Sequence, residues 1–129
     1  MTQLKIYCIT NIQSEKLEKL GLNLVGVGKN SFNSKYITCE GGDNINSKEK
    51  NYSELTFHYW FWKNKIEEFS DDDWIGFCQR RRFWIKSRNE KLNNELEDII
   101  LKDFPSEWIN YDAVICEPIK LGTKLMKLL

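Results

Sequence analysis

The feature that most limits how this chain can fold is its alternation of two periodicities. Short runs rich in β-branched and aromatic residues alternate with segments whose apolar residues recur at helical spacing. The runs span residues 4–10 (LKIYCIT), 22–27 (LNLVGV), 74–78 (WIGFC) and 111–116 (YDAVIC). Each is four to eight residues long or close to it, which suits buried strands better than helices. Between them, residues 14–20 carry an N-cap candidate in Ser14, leucines three apart and a stop at Gly21. Residues 53–68 place Leu55, His58, Tyr59, Trp62 and Ile66 on one stripe behind a candidate cap at Ser53. Phe57, Trp60 and Phe61 add apolar surface elsewhere, so this helix is expected to be buried nearly all round. Residues 91–102 place Leu92, Leu96, Ile99 and Ile100 on another stripe, closed by Pro105. The order β-α-β-loop-α-β-α-β predicts an α/β sheet with helices packed on it. The strand at 74–78 is too apolar for a sheet edge. Residues 28–50 read as one long loop, and loops of that length inside a compact domain carry function or disorder.

Chain length and balance fit this reading. The 129 residues suit a single domain over 1–129, and 41% hydrophobic with 13% aromatic residues excludes a disordered chain. Nineteen basic and nineteen acidic residues leave no net charge, so nucleic acid is not an expected partner. A nucleic-acid surface at Arg80, Arg81, Arg82 and residues 86–88, with Phe83 and Trp84 interleaved, is the weakest reading. Cys8, Cys78 and Cys116 lie in strand-like runs, and with Cys39 they read as buried, reduced thiols rather than a zinc site. No apolar stretch approaches the length that crosses a bilayer, and the first ten residues lack a secretory pattern. The expected location is cytoplasmic, with peripheral attachment at the inner membrane surface. Residues 124–129 (KLMKLL) look like an element cut short.

Ligands of open α/β sheets lie beyond the carboxyl ends of the strands. After the run 74–78 come Gln79, Arg80, Arg81 and Arg82. Guanidinium groups are permanently charged forks of donors suited to phosphate oxygens, although basic triplets also occur as solvated runs. Gly41-Gly42-Asp43-Asn44 reads either as a close-approach loop for an anion or as a plain turn. Asp71-Asp72-Asp73 contains an Asp-x-Asp pattern but precedes its strand, so it reads as a solvated turn and no metal is assigned. His58 reads as a buried histidine, and Glu54 as a partner of the helix dipole or of a ligand.

Three segments together resemble a family of bacterial capsular and exopolysaccharide glycosyltransferases long catalogued as a domain of unknown function. They are Gly42-Asp43-Asn44-Ile45; residues 51–56 (NYSELT) with Tyr59-Trp60 and Trp62-Lys63-Asn64; and residues 74–78 running into Arg81-Arg82-Phe83. The resemblance implies a Rossmann-like, GT-A-like fold and transfer of a galactose-type hexose from a uridine diphosphate donor to a glycan or lipid-linked acceptor. It implies that Asp43 and Asn44 lie at the donor site, that Glu54 and Thr56 line the pocket, and that Arg81 and Arg82 face the diphosphate or sugar. Where the family has His-Tyr, this chain has Gln79-Arg80, and a glutamine does not move protons near neutral pH. No catalytic base is therefore assigned, and no cofactor beyond an optional divalent metal is expected. Family members run on well beyond the late strand, so the expected domain is incomplete at its C-terminus. The second expectation is a non-catalytic module that binds a nucleotide-sugar or glycan.

Overall fold

A computed structural model describes residues 2–87 and 95–118. Its frame is a four-stranded, all-parallel sheet of β1 (Leu4–Thr10), β2 (Asn23–Gly26), β3 (Tyr36–Thr38) and β4 (Trp74–Gln79) in the order β3-β2-β1-β4. The helices are α1 (Glu15–Glu18), α2 (Glu49–Tyr52), α3 (Leu55–Asn64) and α4 (Leu96–Ile99). The α/β class and the Rossmann-like arrangement expected from the sequence are present. No helix among the described residues is long and apolar enough to cross a membrane.

Strand alternation divides the core in two. Ile6 and Cys8 of β1 pack with Leu17 and Leu20 around α1, together with Ile100 and Leu101. Tyr7 and Ile9 point the other way, onto Phe57, Trp60 and Phe61 of α3. Both faces of β1 are covered, which explains why its middle, Ile6 to Ile9, is a continuous apolar run. The aromatic side is closely meshed: Tyr7 lies 5.3 Å from both Phe57 and Phe61, centroid to centroid. Phe57 is fully buried, and truncating such a side chain to alanine typically costs about 3–5 kcal/mol.

Several sequence expectations need correction. Residues 28–50 are not one loop, because β3 pairs with β2 inside them and a 3-10 turn at Asn46–Lys48 leads into α2. Three residues are too few for alternation to register. Ser53 does not cap a helix by its side chain. It ends α2, donating its N–H to the Glu49 carbonyl at 2.7 Å, and it has the one positive φ of a non-glycine residue among those described, 47°. Helix α3 is also rotated relative to the expected stripe. Thr56, Phe57, Trp60 and Phe61 are buried, whereas Leu55 is 54% and Trp62 58% exposed. A helix apolar on two sides gives no periodic signal for which side faces the sheet.

The late segments differ as well. Residues 111–116 form no regular structure, and Ile115 is 82% exposed. Cys116 is exposed, while Cys8, Cys39 and Cys78 are buried free thiols as expected. Strand propensity yields a strand only when a neighbouring edge receives it. Among the described residues β4 pairs with β1 alone, so the run expected inside the sheet stands at its end. Its apolar content is accounted for by packing of Trp74 against Phe104 and Trp108, at 5.4 and 5.5 Å between centroids. The expected helix at 91–102 is α4 where it is described, and its position Leu92 lies outside the described residues, as do Arg88 and the run 124–129. Ile100 leaves that helix to pair with Ile85.

Candidate functional site

The strands end together at Thr10, Gly26, Thr38 and Gln79, as their register requires. From β1 the chain winds one way through β2 and β3, then returns to the other side of β1 as β4. The winding therefore reverses between β1 and β4. A crevice outside the carboxyl ends at such a reversal is where doubly wound sheets bind ligands.

A polar cleft of about 150 Å³ occupies that position. Thr10 and Asn11 come from the end of β1, Glu49 and Glu54 from the approach to α3, and Arg80 and Arg81 from the end of β4. Ser53, the residue with the left-handed backbone, lies in the same wall. The cleft runs on past Asn11, Val27 and Glu49 into a second depression of about 210 Å³, where Lys29 and Lys50 supply charge. Two depressions with a shared wall thus carry two arginines in one and two lysines in the other.

Local bonds explain how the arginines come to line it. Gln79 and Arg82 exchange backbone hydrogen bonds at 3.2 and 3.1 Å, closing a tight turn. Arg80 and Arg81 are its two corner residues, whose side chains leave the strand direction. Among the described residues neither guanidinium is in a salt bridge. The Gln79 amide donates to the Glu54 carboxylate at 2.5 Å, tying the end of β4 to the start of α3. The Thr10 hydroxyl donates to the Ile12 carbonyl at 2.7 Å and fixes the turn after β1. Asn46 accepts from the Gly28 N–H at 2.8 Å and donates to its carbonyl at 3.1 Å. Gly28 has φ of +88°, and a side chain there would press on Glu49 at 2.9 Å.

Of the residues predicted for the site, Glu54, Gln79 and Arg81 meet in this cleft. Arg82, the exposed closing residue of the turn, does not line the cleft, and Arg80 does. Thr56 is fully buried one turn into α3, with no hydrogen-bond partner for its hydroxyl among the described residues. Asp43 and Asn44 lie elsewhere. Asp43 accepts from the Tyr59 hydroxyl at 2.9 Å, and its carbonyl accepts from Asn64. Asn44 donates to the Glu40 and Gly42 carbonyls and closes its own loop. Trp60 donates to the Gly41 carbonyl at 2.7 Å. The loop is therefore lashed to the far half of α3, and at about 1.5 Å per residue Asn64 sits ~15 Å along the helix from Glu54. The glycine-aspartate loop and the arginines do not share a cleft. Sequence reasoning missed Thr10, Asn11, Asn46 and Glu49. The position rule alone, residues just past a buried strand, would have found the first two.

His58 stacks on Phe77 at 4.2 Å between centroids. Burial lowers its pKa below the usual imidazole value, partly opposed by the nearby Glu54 carboxylate. It is a neutral ring at pH 7. Asp73 accepts from the N–H of Ser70 and of Gln3, at 3.0 and 3.3 Å, at the amino end of β1 and β4, the opposite end of the strands. Those bonds, Ser70 first, hold its carboxyl below the ordinary range. The aspartate triplet is thus a structural turn remote from the cleft. Among the described residues no three His, Cys, Asp or Glu side chains are grouped to hold a metal.

A family model described as "Domain of unknown function (DUF4422)" matches residues 5–126. No curated protein and no solved structure matches the chain.

Proposed function

The chain belongs to the family described as a domain of unknown function (DUF4422), and on that premise we propose that it is a glycosyltransferase using a nucleotide diphosphate sugar. The observation that carries the reading is the turn that sets Arg80 and Arg81, without salt-bridge partners among the described residues, at the reversal point of a parallel sheet. A diphosphate is the natural occupant of two guanidinium forks beside a row of strand ends. The donor is a uridine diphosphate hexose of the galactose type, and the product a surface polysaccharide or related glycan, assembled on the cytoplasmic side of the membrane.

In the transfer, an acceptor hydroxyl oxygen bonds to the anomeric carbon. The bond from that carbon to the diphosphate oxygen breaks, and the electron pair leaves with the nucleoside diphosphate. Arg80 and Arg81 stabilise the charge that gathers on the departing phosphate, a role that depends on donors already held in place. The Gln79–Glu54 bond does the holding at one wall. The hydroxyl proton passes to a cleft carboxylate, Glu49 or Glu54. Asn11 and Lys29 offer hydrogen bonds to the nucleoside along these depressions.

Calorimetry with uridine diphosphate tests the reading. Saturable binding is expected, with an affinity that falls about a hundredfold in an Arg80→Ala, Arg81→Ala double variant. An unchanged affinity ends the proposal. A second reading, a non-catalytic donor-binding module, is favoured by the glutamine at position 79, which is bonded to Glu54 and carries no titratable proton. Donor binding without hydrolysis or transfer to any candidate acceptor supports that reading instead.

A further inference from the structure

Successive residues of a strand turn their backbone N–H and C=O groups to opposite sides. Trp74 donates its N–H to the Gln3 carbonyl at 2.7 Å, on the β1 side of β4. Gln79 exchanges both its backbone bonds with Arg82, outside the sheet, and the Phe77 carbonyl accepts from the Trp84 indole at 3.0 Å. The odd-numbered residues of β4 therefore face outward, and with them the N–H and C=O of Ile75. Among the described residues neither of these two groups is bonded on that side. Ile75 lines a depression of about 440 Å³ along the amino half of β4. Trp74, Trp84, Phe104, Trp108 and Tyr111 form much of its wall, and the exposed Asp71, Asp72 and Asp112 stand in its lining. No lysine, arginine or histidine lines it, and among the described residues none of these three carboxylates is in a salt bridge. Sheet edges are usually blunted by charged side chains or proline, and β4 (WIGFCQ) has neither.

We propose that the outer edge of β4 is a docking surface for an extended, basic segment of a partner protein, which joins the sheet as a further strand. Such a strand satisfies the outward groups of Ile75 and the Phe77 N–H, and its alternate side chains enter the depression beside them. Charge selects the occupant. A second copy of this chain would set Asp71, Asp72 and Asp112 against their own equivalents, because a twofold contact brings the same patch together. Residues 111–116 of this chain carry Asp112 and no basic residue, so laying them on β4 neutralises nothing at the rim. A segment with lysine or arginine at alternate positions does. Its charged heads reach the carboxylates while its methylene stems lie on the indole rings. Docking at this edge asks nothing of the transferase chemistry. The depression sits at the amino end of a six-residue strand and the polar cleft past its carboxyl end, about 20 Å away, so one chain holds both ligands at once.

The test is calorimetry on the full chain with a blocked heptapeptide alternating lysine and valine. Its controls are the glutamate–valine counterpart and a copy methylated at every backbone nitrogen. The lysine peptide is expected to bind saturably, one per chain, at least tenfold tighter than either control. Hydrogen exchange reads the pairing itself: saturating peptide is expected to slow exchange of the Ile75 amide at least tenfold. An Asp71→Lys, Asp72→Lys variant is expected to lose at least tenfold in peptide affinity while keeping its melting temperature within a degree or two, since both side chains are exposed. Equal affinity for the glutamate peptide or the methylated copy, or indifference to the aspartate variant, overturns the proposal. So does an Ile75 amide already protected in the free chain, because the edge is then held by the chain's own residues or by a second copy.

Discussion

The glycine-aspartate loop at residues 41–44 and the arginine turn at 79–82 look alike as sequences: short, polar, close to an aromatic element. In the folded chain they differ in how their hydrogen-bonding capacity is used. One oxygen of the Asp43 carboxylate accepts from Tyr59, its carbonyl accepts from Asn64, and the Asn44 amide donates within its own loop. At the turn, backbone bonds between Gln79 and Arg82 close the structure, and among the described residues neither Arg80 nor Arg81, both lining the cleft, is in a salt bridge. A polar group already satisfied by the fold has little left to offer a ligand. A group whose position is fixed by other bonds keeps its own donors available.

Mutations can break this contrast or sharpen it. The largest effect is expected from Arg80→Ala, Arg81→Ala. Hydrogen bonds to charged groups are worth about 1.5–3 kcal/mol each, so nucleotide affinity should fall by ~3 kcal/mol, about a hundredfold. The melting temperature should hold within a degree or two. Gly42→Ala should do the reverse. Gly42 has φ of +67°, and an added Cβ would collide with the Asn64 side chain, for a cost of about 2 kcal/mol in stability and little in nucleotide affinity. Asp43→Ala removes the Tyr59 bond and should cost about 1 kcal/mol, or roughly 4 °C in melting temperature. Calorimetry should again show nucleotide binding unchanged. A loss of binding in Asp43→Ala without a loss of stability would erase the distinction between the two regions.

The smallest expected effect concerns pH. The folded pKa of His58 is depressed, so the unfolded chain binds this proton at a higher pH than the folded one. Stability therefore rises with pH between the folded and unfolded values, and is lost as pH falls below about 6.5. Thermal unfolding followed from pH 7.5 to 5.5 should show a shallower decline in His58→Gln than in the parent chain. A parallel decline in both would show that His58 is not responsible.

How much of this could be read from the sequence depended on the physical signal behind each element. Strands β1, β2 and β4 were legible within a residue or two at each end, because packing on both faces of the sheet, complete at the middle of β1 and partial along β4, favours short runs that are mostly apolar. The stop at Gly21 was legible because φ of +70° favours that residue type. The orientation of α3 was not. Its exposed Leu55 and Trp62 are as apolar as its buried Phe57 and Trp60, so the contacts with Tyr7 and Phe77 decide the facing. Residues 111–116 carried strand propensity but pair with no strand among the described residues. At the site, Arg81, Glu54 and Gln79 were legible through position and resemblance. Asn46 was not, because its role arises from spatial proximity to Gly28, eighteen residues earlier.

Strand order also sets a timetable for folding. Of the four described strands β1 is made first and lies inside the sheet, yet Leu4 finds its β4 partner only at Trp74, seventy residues later. At synthesis rates of about 5–20 residues per second, β1 waits roughly 4–14 s before that flank can be covered. For that interval the flank of β1 that β4 will take stays open, while β2, α1 and then α3 can already cover the rest. Slower translation between codons 26 and 74 should therefore lower the soluble yield before it alters any property of the finished molecule.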